Sequence, residues 1–509
     1  MESLAIGYIA SYLRRNSFEA KIIDEEIGGF SRAQTIRQLQ DSDLIGFTAI
    51  AKTQIFPIIE AVKELRKRGC SAHISIGGHY PSFLHKELLS LRDTFDSVVR
   101  FEGEETFSEL AKSIEEKKPL FGVKGLAFKQ RGKIIENQLR PLISDLDSVP
   151  FPARGTLPKV LELGGLPVIS SSRGCYNNCS YCSISSFYSL PGGKTFRLRS
   201  AENVLSELRE LKQNFPEISE IWFVDDNFVL PGKKGLERTI KLCRGIKELG
   251  MEFQIYLRAN HINEKLLRLL KESGLQNIFI GAEAANDFTL QNIFNKNLSV
   301  KQTLKAIRLC NKMKISIDPG FIMFHPWSTM EEIGQNIRFL EAAKQFTLYG
   351  IASFLTPYSF TPIGKKMLSN ELPYKKPAVL PNQKLNDFVP YEIKDEKAEL
   401  LLCLTLDAFE EFKALPAAFS KLKQKIRKLK AEKNPCASAL EKKWFFEIKK
   451  MNQTGMNFFK ELFFFINKTA LKDEEIKPFF QKFKARIKTY AEKTAKKLKS
   501  PSDSQCNRL

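Results

Sequence analysis

Residues 170–183 read SSSRGCYNNCSYCS, and the fold turns on what this short stretch can be. Cys175, Cys179 and Cys182 stand at positions i, i+4 and i+7. The apolar run Pro167–Ser171 just before them reads as a strand, so the cysteines fall on the loop that follows it. Gly174 gives that loop freedom to fold around an ion. Soft thiolates are the ligands of iron–sulfur clusters, and three of them leave one iron of a cubane open. A structural zinc ion is the alternative, but it would want a fourth Cys or His. The nearest histidine, His261, offers no paired spacing. The stretch is therefore read as a [4Fe–4S] site with an open iron.

Outward from this loop, strands alternate with helices. The expected strands are Pro167–Ser171, Ile221–Val224, Phe253–Leu257, Asn277–Gly281, Ser316–Phe324 and Gly350–Leu355. Between them lie helical stretches at 204–214, 236–249, 264–273, 300–312 and 330–345. Six such units suit a parallel (β/α)6 partial barrel over residues 166–375. Upstream, DLDSVPFPAR (145–154) is a proline-punctuated segment inside a linker, residues 141–165. Residues 1–140 hold strand signals at Glu19–Asp24, Asp43–Thr48, Ala72–Ile76 and Phe95–Arg100 and a helix at Phe56–Arg68, the grammar of a doubly wound, Rossmann-like α/β domain. Downstream, residues 376–509 lose the strand signals and become helical and basic, as at 421–430, 442–450 and 482–499.

Composition sets outer limits. With 509 residues, 43% hydrophobic and 27% charged, the chain is of ordinary globular type, with room for several cores. No apolar run is long enough to span a membrane, and the N-terminus has no signal-peptide pattern, so the expected location is the cytoplasm. Nine cysteines do not make a disulfide scaffold; Cys70, Cys243, Cys310, Cys403, Cys436 and Cys506 read as isolated, inert thiols. Of the net charge of +21, residues 381–509 carry +11, from 28 Lys and Arg against 17 Asp and Glu. Such a tail can meet nucleic acid, anionic lipid or acidic substrates, or be only a solvated face.

At Cys175, Cys179, Tyr181 and Cys182 the sequence matches C-x3-C-x-aromatic-C and resembles the radical S-adenosylmethionine (SAM) superfamily. The resemblance implies that SAM chelates the open iron and that its reductive cleavage gives a 5′-deoxyadenosyl radical. It also implies roles at strand ends, where barrel sites are built. Tyr181 would lie near the adenine. Asp225, Asp226 and Asn227 in WFVDDNF would meet the SAM amino group, and Arg258 in YLRAN would pair with a carboxylate. Glu283 in FIGAEAAND matches an acidic SAM contact. Phe324 and His325 stand where glycine is usual, and His325 is expected to be a packed ring.

The order of α/β domain, linker and radical SAM core resembles the cobalamin-binding radical SAM family, through LAIGYIASYLR (4–14), IGFTA (45–49), IGGHYPS (76–82) and FEGEET (101–106). The likeness covers about residues 1–375. It implies a corrin between the first domain and the barrel mouth. Gly77, Gly78 and His79 would lie at its tail, and Thr48 and the Glu102–Gly103–Glu104 loop would flank it. Two departures stand out. There is no D-x-H-x-x-G segment, so no protein histidine is offered as lower axial ligand. Set against the family, the chain begins after the first strand, which would leave the strands near Ile22 and Ile45 with a gap and an apolar edge.

The resemblance implies a cobalamin-dependent methyltransferase acting on an unactivated carbon of a small molecule or peptide. It would be served by a flavodoxin- or ferredoxin-like electron donor. The alternatives are a radical cyclase or oxidase on the same domains, a non-catalytic redox-cluster protein, and a nucleic-acid-modifying enzyme. The last is disfavoured because the basic tail shows no recognition fold or stacking motif.

Overall fold

The computed structural model describes residues 2–377, 385, 387–432 and 434–499; Cys506 lies outside them. The N-terminal part is a five-stranded sheet. Strands β1 (Leu44–Thr48), β2 (His73–Gly77) and β3 (Ser97–Val99) are parallel, and β3 continues into the antiparallel hairpin β4 (Leu126–Gln130) and β5 (Lys133–Glu136). The parallel strands read as continuous apolar runs because both faces are covered. Ile74, Ile76 and Val98 are fully buried, sharing a core with Ile55, Val62 and Leu65 of the helix Lys52–Lys67. The hairpin was not foreseen.

The expected strand at Glu19–Asp24 does not form; the backbone there is irregular and ends by capping a one-turn helix through Asp24. A strand needs a neighbour to take its backbone hydrogen bonds, and β1, the edge of the sheet, pairs with β2 alone among the described residues. Ile45 itself is 3% exposed; the exposed apolar side chains nearby, Ile50 and Phe56, lie on the following loop and helix and not on the strand edge.

The central part is a parallel sheet in the order β10-β9-β8-β7-β6. In chain order these strands are β6 (Val168–Ile169), β7 (Glu220–Phe223), β8 (Glu252–Leu257), β9 (Leu275–Glu283) and β10 (Ser316–Phe321). Crossover helices have clear starts: Ser299 and Gln302 form a capping box before Val300–Lys312, and Thr329 caps Met330–Ala343. The expected sixth strand at Gly350–Leu355 is replaced by the short helix Leu348–Ile351 and one bridge, Phe324 to Phe354. Thr347 caps that turn through the Gly350 N–H, which spends on a helix the backbone that a strand would have used. The barrel is therefore five strands and a bridge.

The C-terminal residues form four helices, α1 (Glu396–Phe409), α2 (Ala414–Ala431), α3 (Cys436–Lys468) and α4 (Asp473–Lys499). They extend the barrel's own core: Phe459 meets Phe324 edge-on, and one apolar cluster runs from Ile169 to Leu498. Cys70, Cys243 and Cys310 are buried as expected, but Cys403 is exposed on α1.

Candidate active site at the barrel mouth

The cysteine loop leaves β6 through Gly174, whose φ is +81°. A Cβ there would come within 1.9 Å of the Thr195 carbonyl oxygen, so only glycine fits. The ribbon Ser172–Arg173 against Arg197–Leu198 pins the loop's first half, and the Ser180 N–H donates to the Phe294 carbonyl at 2.8 Å on its second half. Cys179 is buried and Cys175 and Cys182 are half-buried, and all three thiols are free. Burial, with the negative end of Cys179, Asp226 and Cys175 nearby, pushes the Cys182 thiol up to about 12. Arg258, buried at the end of β8, donates through Nη1 to Cys179 Sγ at 3.6 Å and through Nη2 to the Lys296 carbonyl. Its Nε is buried with no partner among the described residues. A buried guanidinium 3.6 Å from the Cys179 sulfur fits an anionic thiolate at that position, since an unpaired buried cation is otherwise costly.

The acidic residues after β7 divide. Asp225 is 1% exposed and accepts from the hydroxyls of Ser171, at 3.1 Å, and Ser172. It ties β7 to the cysteine strand, although its second oxygen lacks a partner among the described residues. Asn227 is likewise internal: it donates to Tyr176 and to the Val229 carbonyl, and accepts the Arg258 N–H at 3.3 Å. Both side chains are buried and brace the loops. Asp226 alone opens to the cleft. The surrounding protein and then Asp225 raise its carboxyl to about 7, and it forms no ion pair among the described residues.

Glu283 ends β9 at a bulge with φ +67°, a strained backbone for a non-glycine residue. Its Oε1 holds Lys296 Nζ at 2.7 Å, and the same ammonium lies 3.3 Å from the Tyr181 hydroxyl. Tyr181 packs on Phe294. Lys296 was missed, because an isolated lysine thirteen residues beyond Glu283 carries no spacing signal. Among the described residues no carboxylate pairs with Arg258; its side-chain contacts there are a sulfur and a carbonyl. His325 is 1% exposed, 3.1 Å from Glu332 and edge-on to Phe294, a packed ring as expected.

The loop after β2 reaches the same mouth. Gly78 has φ +103°, and a Cβ there would lie 2.5 Å from the Ala49 carbonyl oxygen and 2.9 Å from Thr48 Oγ1. Thr48, at the end of β1, thus lies against Gly78, while Gly77 pairs with Thr48 and Val99 across the sheet. His79 follows, its ring 4.7 Å from Phe187 and 5.5 Å from Phe83. Its Nε2 is buried with no partner among the described residues, and burial lowers its pKa to about 4. Phe187 lies on the helix Ser183–Ser189, directly after Cys182. A neutral, orphaned imidazole in an aromatic wall fits the edge of a large, mostly apolar cofactor better than water.

The loop after β3 is held by ion pairs to the segment that carries the cysteines. Glu102 binds Arg173 at 3.0 Å, Arg197 at 2.8 Å and the Ile143 N–H at 2.9 Å; Glu104 binds Arg173 at 2.6 Å. These carboxylates are consumed in a buried network that clamps the first domain to the ribbon beside Cys175. Burial works against ionising Glu102, but Arg173 and Arg197 hold it below the usual carboxylate range. Gly103 between them backs onto Ile9. Arg173 and Arg197 were not singled out, since each is an ordinary basic residue until the two domains meet.

A parallel partial barrel with a three-cysteine loop at its mouth defines the class of a radical SAM core. Residues 169–340 match the model of the radical SAM superfamily, and residues 1–111 match the B12 binding domain. The chain is 30% identical over 378 residues to an uncharacterized methyltransferase of Pyrococcus horikoshii, covering 72% of this chain and 79% of that one. It is 26% identical over 339 residues to the hopanoid C-3 methylase of Methylococcus capsulatus, covering 64% of this chain and 62% of that one, less than two thirds of its length. In fold it is similar to the cobalamin-dependent SAM radical enzyme OxsB with aqua-cobalamin and SAM bound (TM-score 0.75, 18% identity, 99% of this chain and 80% of that one). The chain belongs to the cobalamin-binding family of radical SAM enzymes, whose cofactors are a [4Fe–4S] cluster, SAM and cobalamin.

Proposed function

We propose that this chain is a cobalamin-dependent methyltransferase acting on an unactivated carbon. The observation that carries the reading is the clamp of Glu102 and Glu104 onto Arg173, two residues before Cys175. It holds the cobalamin-binding domain against the cysteine loop, so that two cofactors would face one cleft. When bound, the cluster with SAM supplies a carbon radical and cobalamin supplies the methyl group.

The chain's own residues then have distinct tasks. Cys175, Cys179 and Cys182 would hold the cluster, and Arg258 would offset the charge of Cys179. Asp226 offers the SAM ammonium a carboxylate, and the Glu283–Lys296 pair offers one charge of each sign to its polar ends, with Tyr181 alongside. Gly77, Gly78 and His79 would meet the cobalamin, His79 at its periphery and not on the cobalt. Thr48 supports that loop, and the Glu102–Glu104 loop holds the domains together. The inward face of the barrel carries Trp222 stacked on Tyr256 at 5.9 Å and Tyr256 beside Phe279 at 5.0 Å. That aromatic wall suits an apolar carbon skeleton and keeps water from a radical. In this division of labour residues 1–140 bind cobalamin, 141–165 link, 166–375 bind cluster, SAM and substrate, and 376–509 buttress the barrel. A flavodoxin- or ferredoxin-like donor supplies electrons, and the cytoplasm is the compartment that keeps the thiols reduced.

The test is anaerobic reconstitution with iron, sulfide and hydroxocobalamin, followed by mass spectrometry of the SAM products in the presence of cell extract as substrate source. S-adenosylhomocysteine together with 5′-deoxyadenosine is expected. 5′-Deoxyadenosine alone, with cobalamin retained, would instead favour a radical cyclase or oxidase.

A further inference from the structure

The methyl-transfer reading leaves the basic C-terminal helices without a role beyond support, and one part of their surface has a composition that support does not need. α2 lies under the barrel: Arg427 is 3.6 Å from Glu220 at the start of β7 and donates to the Gly164 carbonyl. α3 runs back along α2, with Trp444 Nε1 donating to the Phe419 carbonyl at 3.0 Å. Its residues 442–450 read KKWFFEIKK. Positions 442, 445, 446 and 449 fall on one face of a helix. Phe445 is 48% exposed, with Lys423 of α2 5.3 Å over its ring, and Phe446 is 65% exposed, on the side where α2 meets the start of β7.

Along α3 itself, from 442 to 450, the exposed charges beside these rings are all lysines. Lys442, Lys449 and Lys450 are exposed and form no ion pair among the described residues. Glu447, the acid within the stretch, is 4% exposed and is turned inward onto Lys497 of α4. That contact brings the exposed Lys493 and Lys496, with the exposed Glu492 beside them, to the same end of the bundle. Glu441 is taken up by Lys423 and Lys430, and Lys423 also lies 4.7 Å over Trp444. Five turns further along the same face, Phe464 is 52% exposed. Phenyl rings presented outward within a lysine frame need an apolar phase behind an anionic surface. A duplex backbone would use the lysines and leave the rings in water. No described helix is long and apolar enough to cross a membrane, so the contact would be with the surface only.

We propose that the outer face of α3 around Phe445 and Phe446 docks this enzyme onto an anionic phospholipid surface, with Lys442, Lys449 and Lys450 at the headgroups and the two rings in the acyl boundary. The reconstituted full-length holoenzyme is sedimented with vesicles of phosphatidylcholine alone or mixed in equal parts with phosphatidylglycerol, at moderate salt. Binding to the mixed vesicles alone is expected. Phe446→Ser should weaken it at least about fivefold, and Lys449→Glu with Lys450→Glu at least about tenfold. SAM cleavage in solution should be unchanged in both variants, since neither lies near the cofactors. Equal or absent sedimentation with the two vesicle types would overturn the proposal. So would Phe446→Ser binding like the parent, or single-stranded RNA binding the patch while vesicles do not.

Discussion

The clamp between the domains gives a prediction whose size follows from its contacts. Glu102→Ala removes one carboxylate that holds Arg173 at 3.0 Å, Arg197 at 2.8 Å and the Ile143 N–H at 2.9 Å. Arg173 keeps Glu104, but Arg197, whose side chain is 2% exposed, keeps no carboxylate among the described residues, only the Ile143 carbonyl and the Tyr188 ring 5.4 Å away. Breaking a buried pair from one side costs about 3–5 kcal/mol, because the other charge stays buried. Since Arg173 retains a partner, the lower half of that range, about 3–4 kcal/mol, is expected. It should appear as a lower urea midpoint at unchanged slope. Adding Arg197→Met removes the stranded cation, so the double variant should be less destabilised than Glu102→Ala alone. A loss below about 1 kcal/mol for Glu102→Ala, or a double variant at the sum of two independent losses, would refute the argument.

Other outcomes follow from single residues. Burial lowers the His79 pKa to about 4 against an ordinary value near 6.5, so the unfolded chain binds the extra proton as pH falls through that window and stability is lost from 6.5 downward. In cobalamin-free protein this amounts to about 2 kcal/mol between pH 7 and pH 5, and urea titrations should show His79→Phe removing most of it. Gly174→Ala places a Cβ 1.9 Å from the Thr195 oxygen, so iron content after reconstitution should fall to background while the far-ultraviolet circular dichroism is kept. Lys296→Met leaves Glu283 buried beside Tyr181 without its cation, and SAM affinity by equilibrium dialysis should weaken by about tenfold or more.

The barrel was legible because its strands are apolar runs with helical periods between them, a pattern fixed by local burial. The cysteine loop was legible because ligand spacing is a local property. What escaped depends on chain segments meeting at long range. Lys296 is marked only by the Glu283 carboxylate that folds onto it, and Arg173 and Arg197 only by an acidic loop some seventy and more residues upstream. The same meeting gives Glu102 and Glu104 their arginine partners, and Asp225 and Asn227 have hydrogen-bond partners within the chain that no spacing signalled. Glu19–Asp24 failed as a strand because its alternation was right but no described neighbour receives it. Gly350–Leu355 failed because a threonine cap turned its start into a helix.

The central claim is that the three thiols of one loop hold the cluster that cleaves SAM. The direct measurement is iron content and 5′-deoxyadenosine formation after anaerobic reconstitution and reduction, in the parent and in the variant with Cys175, Cys179 and Cys182 all changed to Ala. The parent should carry about four irons per chain and form 5′-deoxyadenosine, and the triple variant should do neither. A triple variant that keeps its full iron load and still cleaves SAM would contradict the account.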